Sequence, residues 1–306
     1  MYLSPMTKTE LFDRKIATIA LIRYGDVYPR MMEALLRHFG NVERIIKSDS
    51  GTLMSIEGMS ADDANNIIYA AEHLTEAENF YKSLIEKDIC VNSRFDDDFP
   101  ENLFELNDPP SLLYHRGNLP DKSKKIAAVV GSKKATNEGI ELTTTLAKQL
   151  VDADVEIISG LSGGISTAAH LGAKAAGGKS YALLESGHEH IFPEEYRPLA
   201  IDIVQQGGLI SEYPPEMENE YGNFKSTNRI IAALAQAVII TEFYEDDKVV
   251  DDLLNCCSQI GKMTFVLIDP KYGGLTDEKG LNKAVQCGAV PMVGLEKIQD
   301  IIVSLV

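Results

Sequence analysis

Two turns rich in small residues carry the groups that could do chemistry in this chain. The first is Gly131-Ser132-Lys133, behind the apolar run 126–130. The second is Ser159-Gly160-Leu161-Ser162-Gly163-Gly164, behind the apolar run 155–158. Neither run alternates apolar with polar residues, so each predicts a parallel strand buried on both faces. A helical pattern follows each turn, over 137–151 and then through His170. In open parallel sheets such turns gather at the carboxyl edge, where backbone N–H groups at helix starts hold anions. One such turn can be no more than a tight connection; two in succession predict a phosphate site. Asn228-Arg229, read as opening a later helix, add an amide and a guanidinium. The candidate phosphate or nucleic-acid contacts are therefore Gly131, Ser132, Lys133, Ser159, Gly160, Gly163, Gly164, Asn228 and Arg229.

Other reactive side chains read as structural. His170 lies within a helix, three positions from Thr167, with no Ser-His-Asp or Cys-His arrangement around it. Glu242 ends a strand, where a catalytic carboxylate could sit, but a buried or capping role is the better reading. His188 and His190 in the turn 185–190 read as solvent-facing, since no further metal ligand is placed beside them. Asp96-Asp97-Asp98 reads as a solvated loop. The four cysteines, Cys90, Cys256, Cys257 and Cys287, form neither a disulfide framework nor a zinc pattern. No catalytic residue, metal or cofactor is assigned, and the chain is read as a non-enzyme.

The elements that must position these groups fall into two parts. Residues 9–88 read as helical. Leu11, Ile16, Ile19, Ala20 and Leu21 mark one apolar face; Met31, Leu35, Leu36 and Phe39, ending at Gly40, mark another. The stretch 53–60, with Gly58 and Ser60 ahead of a helix over 61–85, suggests a helix-hairpin-helix or SAM-like unit. From residue 89 strands and helices alternate, which predicts a doubly wound, mainly parallel α/β sheet. The expected domains are a helical 1–88 and a Rossmann-type 89–306. The strands are expected near 89–91, 112–117, 126–130, 155–158, 181–184, 209–211, 238–241 and 264–268. The last helices are expected near 281–285 and 295–305. No apolar run approaches a membrane span, the amino end lacks a signal-peptide layout, and the chain is read as cytoplasmic.

Charge argues against a polyanion partner. The 306 residues carry a net −17. Residues 1–88 hold 10 Lys+Arg and 14 Asp+Glu, a net of −4, and the rest hold 19 and 32, a net of −13. The part with the phosphate-type turns is the more acidic one. Long-range attraction to nucleic acid is not expected, so a local basic pocket would have to do the work.

The order of motifs resembles the DNA-processing protein A family (DprA, also called Smf), from about Gly40 to Gly288. Phe99-Pro100-Glu101-Asn102-Leu103, Asp108-Pro109-Pro110 and Leu113-Tyr114-His115-Arg116-Gly117-Asn118 are similar to the family's entry segment. Gly131-Ser132-Lys133 stands where the family has Gly-Ser-Arg. The stretch from Ser159 to His170, then Ser211-Glu212-Tyr213-Pro214-Pro215 and Asn228-Arg229-Ile230-Ile231-Ala232, resemble its later signatures. The resemblance implies an extended Rossmann domain that binds single-stranded DNA, forms a homodimer and hands DNA to a RecA-type recombinase in transformation. This sequence ends soon after the Rossmann part, so the winged-helix tail that some members carry is not expected in it.

The departures from the family pattern mostly remove positive charge. Lys133 keeps the charge of the turn arginine but loses its bidentate fork. Gly163 and Glu194 stand where the family often has basic residues, and Ser166 where it has Asp. Lys225-Ser226-Thr227-Asn228-Arg229 lacks one arginine of the family's Pro-x-Arg-Asn-Arg. The acidic 244–248 replaces a Ser-Gly-Ser turn. Two main readings stay open: a single-stranded-DNA-binding recombination mediator, and a nucleotide sensor of the same superfamily that needs only one anion site. A third is a member working through protein contacts alone. A positive pocket favours the first two, and a negative one the third.

Overall fold

The computed structural model describes residues 7–191, 193–220, 222–272 and 275–304. Residues 1–6, Phe192 and Leu305, which enter the sequence reading, lie outside them. The chain divides into two units, 1–114 and 115–306.

The first unit is helical: α1 (Lys8–Arg23), α2 (Pro29–Phe39), α3 (Val42–Ile45), α4 (Ser50–Met54), α5 (Ala61–Glu72) and α6 (Leu74–Glu86). Their starts are written in the sequence. Thr7 with Glu10 and Ser60 with Asp63 form reciprocal capping boxes at α1 and α5. Gly40 ends α2 at φ +82°. The apolar faces meet in one core containing Ile19, Leu21, Met32, Leu35, Leu53, Ile67 and Leu84. Each such fully buried side chain contributes about 1.5–3 kcal/mol. The single helix expected over 61–85 is two. His73 leaves helical backbone at φ −112°, ψ 28°, and its Nδ1–H donates to the Tyr69 carbonyl at 2.7 Å. The unit also takes in β1 (Cys90–Ser93) and the start of β2 (Leu112–Gly117), because Val91, Leu112 and Tyr114 complete the helical core. The expected solvated loop at 96–98 is instead partly tied down. Asp96 accepts from the Ser93 N–H at 2.7 Å and pairs with Lys15 at 2.9 Å.

The second unit alternates strand and helix: β3 (Lys125–Val130), α7 (Asn137–Asp152), β4 (Val155–Gly160), α8 (Gly164–Ala175), β5 (Ser180–Leu183), α9 (Arg197–Gln206), β6 (Gly208–Ser211), α10 (Phe224–Leu234), β7 (Ala237–Ile240), α11 (Lys248–Gln259), β8 (Met263–Ile268), α12 (Glu278–Gln286), β9 (Val290–Val293) and α13 (Ile298–Ser304). Among the described residues its seven strands pair in parallel in the order β6-β5-β4-β3-β7-β8-β9. The register sets Ala127 beside Ile157 and Val130 beside Ile240. Ala127, Val129 and Ile157 pack with Leu142, Leu146, Ala169 and Ala173 of α7 and α8. The intervening Ala128 and Val130 are equally buried, as a strand covered on both faces requires. This is the doubly wound Rossmann-type sheet expected.

Three elements depart from the sequence reading. α10 begins at Phe224, so Asn228-Arg229 lie in its second turn rather than at its start; Asn223 anchors the early start by donating from Nδ2 to the Glu185 carbonyl at 2.7 Å. α11 grows out of the acidic run, whose last residue, Asp247, accepts from the Val250 N–H as its cap. β9 was not expected because Pro291 interrupts it. Only Met292 of its four residues is buried, the pattern of an edge strand, where proline is tolerated. No described helix is long and apolar enough to cross a membrane.

Candidate functional site

β3 has β4 on one side and β7 on the other, and the chain returns from β6 at one end of the order to β7. The direction of winding therefore reverses at β3, and open α/β sheets bind ligands in the crevice outside the carboxyl ends at that reversal. A cleft of about 600 Å³ opens there. It is lined by Ser132, Lys133 and Lys134 after β3, Ser162 after β4, Glu185 after β5, and Tyr244, Asp246, Asp247 and Lys248 after β7. Asn219, Glu220 and Phe224 close another wall. Of the nine residues singled out from sequence, Ser132 and Lys133 line the cleft.

The others build the edge beneath it. Ser132 donates its N–H to the Glu242 carbonyl at 2.7 Å, and its own carbonyl accepts from the Ile165 N–H at 3.1 Å. The turns after β3, β4 and β7 are thus stitched backbone to backbone. Gly164, at φ +54°, sits so close that an added Cβ would lie 2.2 Å from the Ser132 carbonyl oxygen. This glycine serves loop-on-loop packing. Ser159 is buried and donates from Oγ to the Val129 carbonyl at 2.6 Å. The Gly160 carbonyl accepts from Nε2 of His170 at 2.9 Å. Asn228 does not line the cleft; its amide donates to the Val249 carbonyl at 2.8 Å and to Asp252 at 3.0 Å, clamping α10 to α11.

Two cations of this edge are held by carboxylates. Lys133 Nζ lies 3.0 and 3.1 Å from the two oxygens of Glu185. Arg229 Nη2 lies 2.7 Å from both oxygens of Glu212, whose carboxylate also accepts from the Ser226 hydroxyl. Arg229 and Glu212 are nearly enclosed, with side chains 11% and 13% exposed, whereas Lys133 is 37% exposed. Over the cleft lining, Lys133, Lys134 and Lys248 face Glu185, Glu220, Asp246 and Asp247: three cations against four carboxylates, a net of −1.

Groups with acid–base potential are turned inward. Glu242 is fully buried and receives the Thr136 N–H and hydroxyl at 3.1 Å and the Tyr244 hydroxyl at 2.7 Å. Its charge thus sits at the amino end of α7, where the helix dipole favours it. The bond to Glu242, more than burial, pushes the Tyr244 phenol up to about 12. His170 is fully buried, and burial lowers its imidazole to about 4. His188, expected to face solvent, is buried as well. Its Nε2–H donates to the Leu209 carbonyl at 3.2 Å. Burial, with a smaller effect from Arg116 and His115, brings it to about 4. The turn 185–190 folds back over β6 rather than outward, which local polarity did not reveal. Among the described residues no cluster of His, Cys, Asp and Glu could hold a metal ion.

Sequence reasoning singled out the turn that holds Ser162 but missed Glu185, Tyr244 and Lys248 as cleft residues. Their signal is positional: each follows the carboxyl end of a parallel strand.

Comparison with known proteins agrees with this architecture. The Smf protein of Synechocystis sp. is 31% identical over 220 residues, which is 71% of this chain and 55% of that protein. The chain thus matches little more than half the length of that relative. DprA of Bacillus subtilis is 30% identical over 68% of this chain and 73% of its own length. The X-ray structure of DprA from Streptococcus pneumoniae superposes with a TM-score of 0.78 over 98% of both chains, at 23% identity. A Helicobacter pylori DprA structure describing its single-stranded DNA binding mode gives 0.60 over 70% of this chain and 95% of that one, at 23% identity. These two likenesses bear on the fold. The family model for DNA recombination-mediator protein A matches residues 90–305, and the chain belongs to that family.

Proposed function

We propose that this chain is a recombination mediator that holds single-stranded DNA in the cleft at the carboxyl edge of β3, β4 and β7. The observation that carries the reading is the joint placement of Ser132, Lys133, Lys134, Ser162 and Tyr244 around one crevice at the winding reversal. Hydroxyls and ammonium groups are phosphate partners, and an aromatic ring at the wall is a platform on which a base can stack, worth about 1–3 kcal/mol per base. The family membership and the ssDNA-binding Helicobacter relative support the same ligand.

The cleft's net charge of −1 does not attract a strand and taken alone favours the protein-contact reading; the family membership is what favours DNA. Binding therefore requires exchange: a phosphate takes Lys133 from Glu185. With two or three ammonium contacts, log Kd should change with log salt by only about 1.4 to 2, at about 0.7 per phosphate neutralised on a single strand. The mode of action in this proposal is binding rather than catalysis, since Glu242 and His170 are both committed to internal hydrogen bonds. A homodimer and transfer to a RecA-type recombinase complete the proposal and rest on the family resemblance.

The test is fluorescence anisotropy of a labelled thymidine oligomer, titrated at several salt concentrations. Binding at low salt with a shallow slope, not displaced by a mononucleotide, is expected. Full displacement by a mononucleotide would favour the nucleotide-sensor reading, and no binding at low salt would reject the DNA reading.

A further inference from the structure

The helical unit holds a second arrangement of charge. Residues 1–48 carry eight Lys+Arg against five Asp+Glu, a net of +3, whereas 49–88 carry two against nine, a net of −7. The basic half is sorted by depth. Arg14 pairs with Glu43 and Lys15 with Asp96, and Arg23 lies over the Phe80 ring at 4.0 Å. Glu33 is taken by Arg94, whose side chain is only 10% exposed. The two carboxylates of the α2–α3 stretch, Glu33 and Glu43, are thus neutralised from behind. Arg30, Arg37, Arg44 and Lys47 remain exposed in front.

All four lie within the stretch 30–47. Arg30 and Arg37 are seven residues apart on α2, hence on one helix face with Cα atoms about 10 Å apart. Arg37 Nε–H donates to the Glu33 carbonyl at 3.2 Å, and Arg44 Nη1–H donates to the Phe39 carbonyl at 3.4 Å. The Arg44 guanidinium therefore lies over the carboxyl end of α2, whose last turn also carries Arg37. Lys47 follows α3. At the other end of α2, Tyr28 is 56% exposed, and it is the helix N-cap without a side-chain cap bond, so the first-turn N–H groups add to the positive end.

We propose that the α2–α3 face, through Arg30, Arg37, Arg44 and Lys47, is a second contact for the phosphate backbone of single-stranded DNA, with Tyr28 as a stacking ring. It rests on the reading that this chain binds single-stranded DNA. Charge complementarity selects the occupant: in a chain of net −17 this face turns its guanidinium groups outward, and guanidinium groups beside an exposed aromatic match a strand's phosphates and bases. The hairpin at 56–60 is unsuited to a phosphate. Its Ser60 N–H is already taken by Asp63 at 2.9 Å, and Glu57 and Asp62 flank it.

The experiment uses the full chain and a labelled thymidine oligomer of about 30 nucleotides, long enough to meet several sites of the size single-strand binders cover. Arg37→Glu/Arg44→Glu is compared with Lys133→Ala. Arg37→Gln/Arg44→Gln is the milder control, and circular dichroism checks the fold. The charge reversal should weaken binding roughly tenfold and make the salt slope shallower by about 1.4, two contacts at about 0.7 each; the Gln pair should show the same slope change with a smaller loss. Unchanged affinity and slope in both pairs, with Lys133→Ala still weakening binding, would overturn this inference and leave the cleft reading intact. Loss in the arginine pairs with none in Lys133→Ala would support this inference and overturn the cleft. A preference of the wild type for duplex of the same length would overturn the assignment to a single strand.

Discussion

The cleft after β3 and the face of α2–α3 both set cations beside carboxylates, but in opposite order of depth. In the cleft, Glu185 holds Lys133, so a group suited to a phosphate is already occupied. On α2–α3, Glu33 and Glu43 are held from behind by Arg94 and Arg14, and the outward guanidinium groups keep their charge. Charge counted along a chain does not foresee this difference. What a ligand meets is decided by which member of each pair the fold buries. Lys133 is 37% exposed and its ammonium can reach a phosphate, but Glu185 is only 11% exposed, so the exchange costs part of the pairing of an enclosed carboxylate. The Arg229–Glu212 pair has both members enclosed, and parting it leaves both charges uncompensated.

The largest expected contrast between the two units is in acid. His170 and His188 lie in the Rossmann unit with imidazoles lowered to about 4, whereas His38 and His73 of the helical unit are not buried. Unfolding raises each buried histidine toward its ordinary 6.5, so between pH 6.5 and 4 the unfolded state binds more protons. Stability is therefore full above pH 6.5 and falls as pH drops toward 4, by up to about 3 kcal/mol per histidine. Urea unfolding at pH 7 and pH 4.5 should show the Rossmann unit losing stability over that window. His188→Asn should flatten the dependence, and a profile flat in the wild type would contradict the burial of both rings.

A second effect separates carboxylates that build the cleft from those that only occupy it. Glu242→Ala strips the Thr136 and Tyr244 donors of their acceptor, and should cost roughly 3 kcal/mol in urea unfolding. Glu185→Gln should cost less than about 1 kcal/mol, because it removes an enclosed charge together with its pairing to a half-exposed Lys133 and keeps a side chain of the same shape. Equal costs would mean that Glu185 is as structural as Glu242.

The fold was legible in the sequence wherever burial is two-sided. The apolar runs behind Gly131 and Gly160 lack alternation, and each proved to be a central strand. Pro291 hid β9, since an edge strand tolerates what a central one does not. At the site, Ser132 and Lys133 were legible because they follow a buried strand directly. Asn228 was not, because its motif reads the same whether the amide faces a ligand or Asp252. Glu185 and Tyr244 lie in a polar and an acidic turn, neither of which marks a cleft by itself; only the sheet order brings them to Lys133. His188 misled because a polar turn between charged residues gives no sign that it folds back onto β6.

The exchange of Lys133 between Glu185 and a phosphate is the central claim, and two single substitutions test it with opposite signs. Anisotropy of a labelled thymidine oligomer, measured across a salt series, should show Lys133→Ala weakening binding several-fold, with a slope shallower by about 0.7. Glu185→Gln should tighten binding by about 2- to 5-fold, the range expected for releasing one partly exposed pair, with the slope steeper or unchanged. Asp246→Asn, at an exposed carboxylate of the same cleft, should tighten it less. Weaker binding in Glu185→Gln, or no change in either Lys133→Ala or Glu185→Gln, would contradict the account.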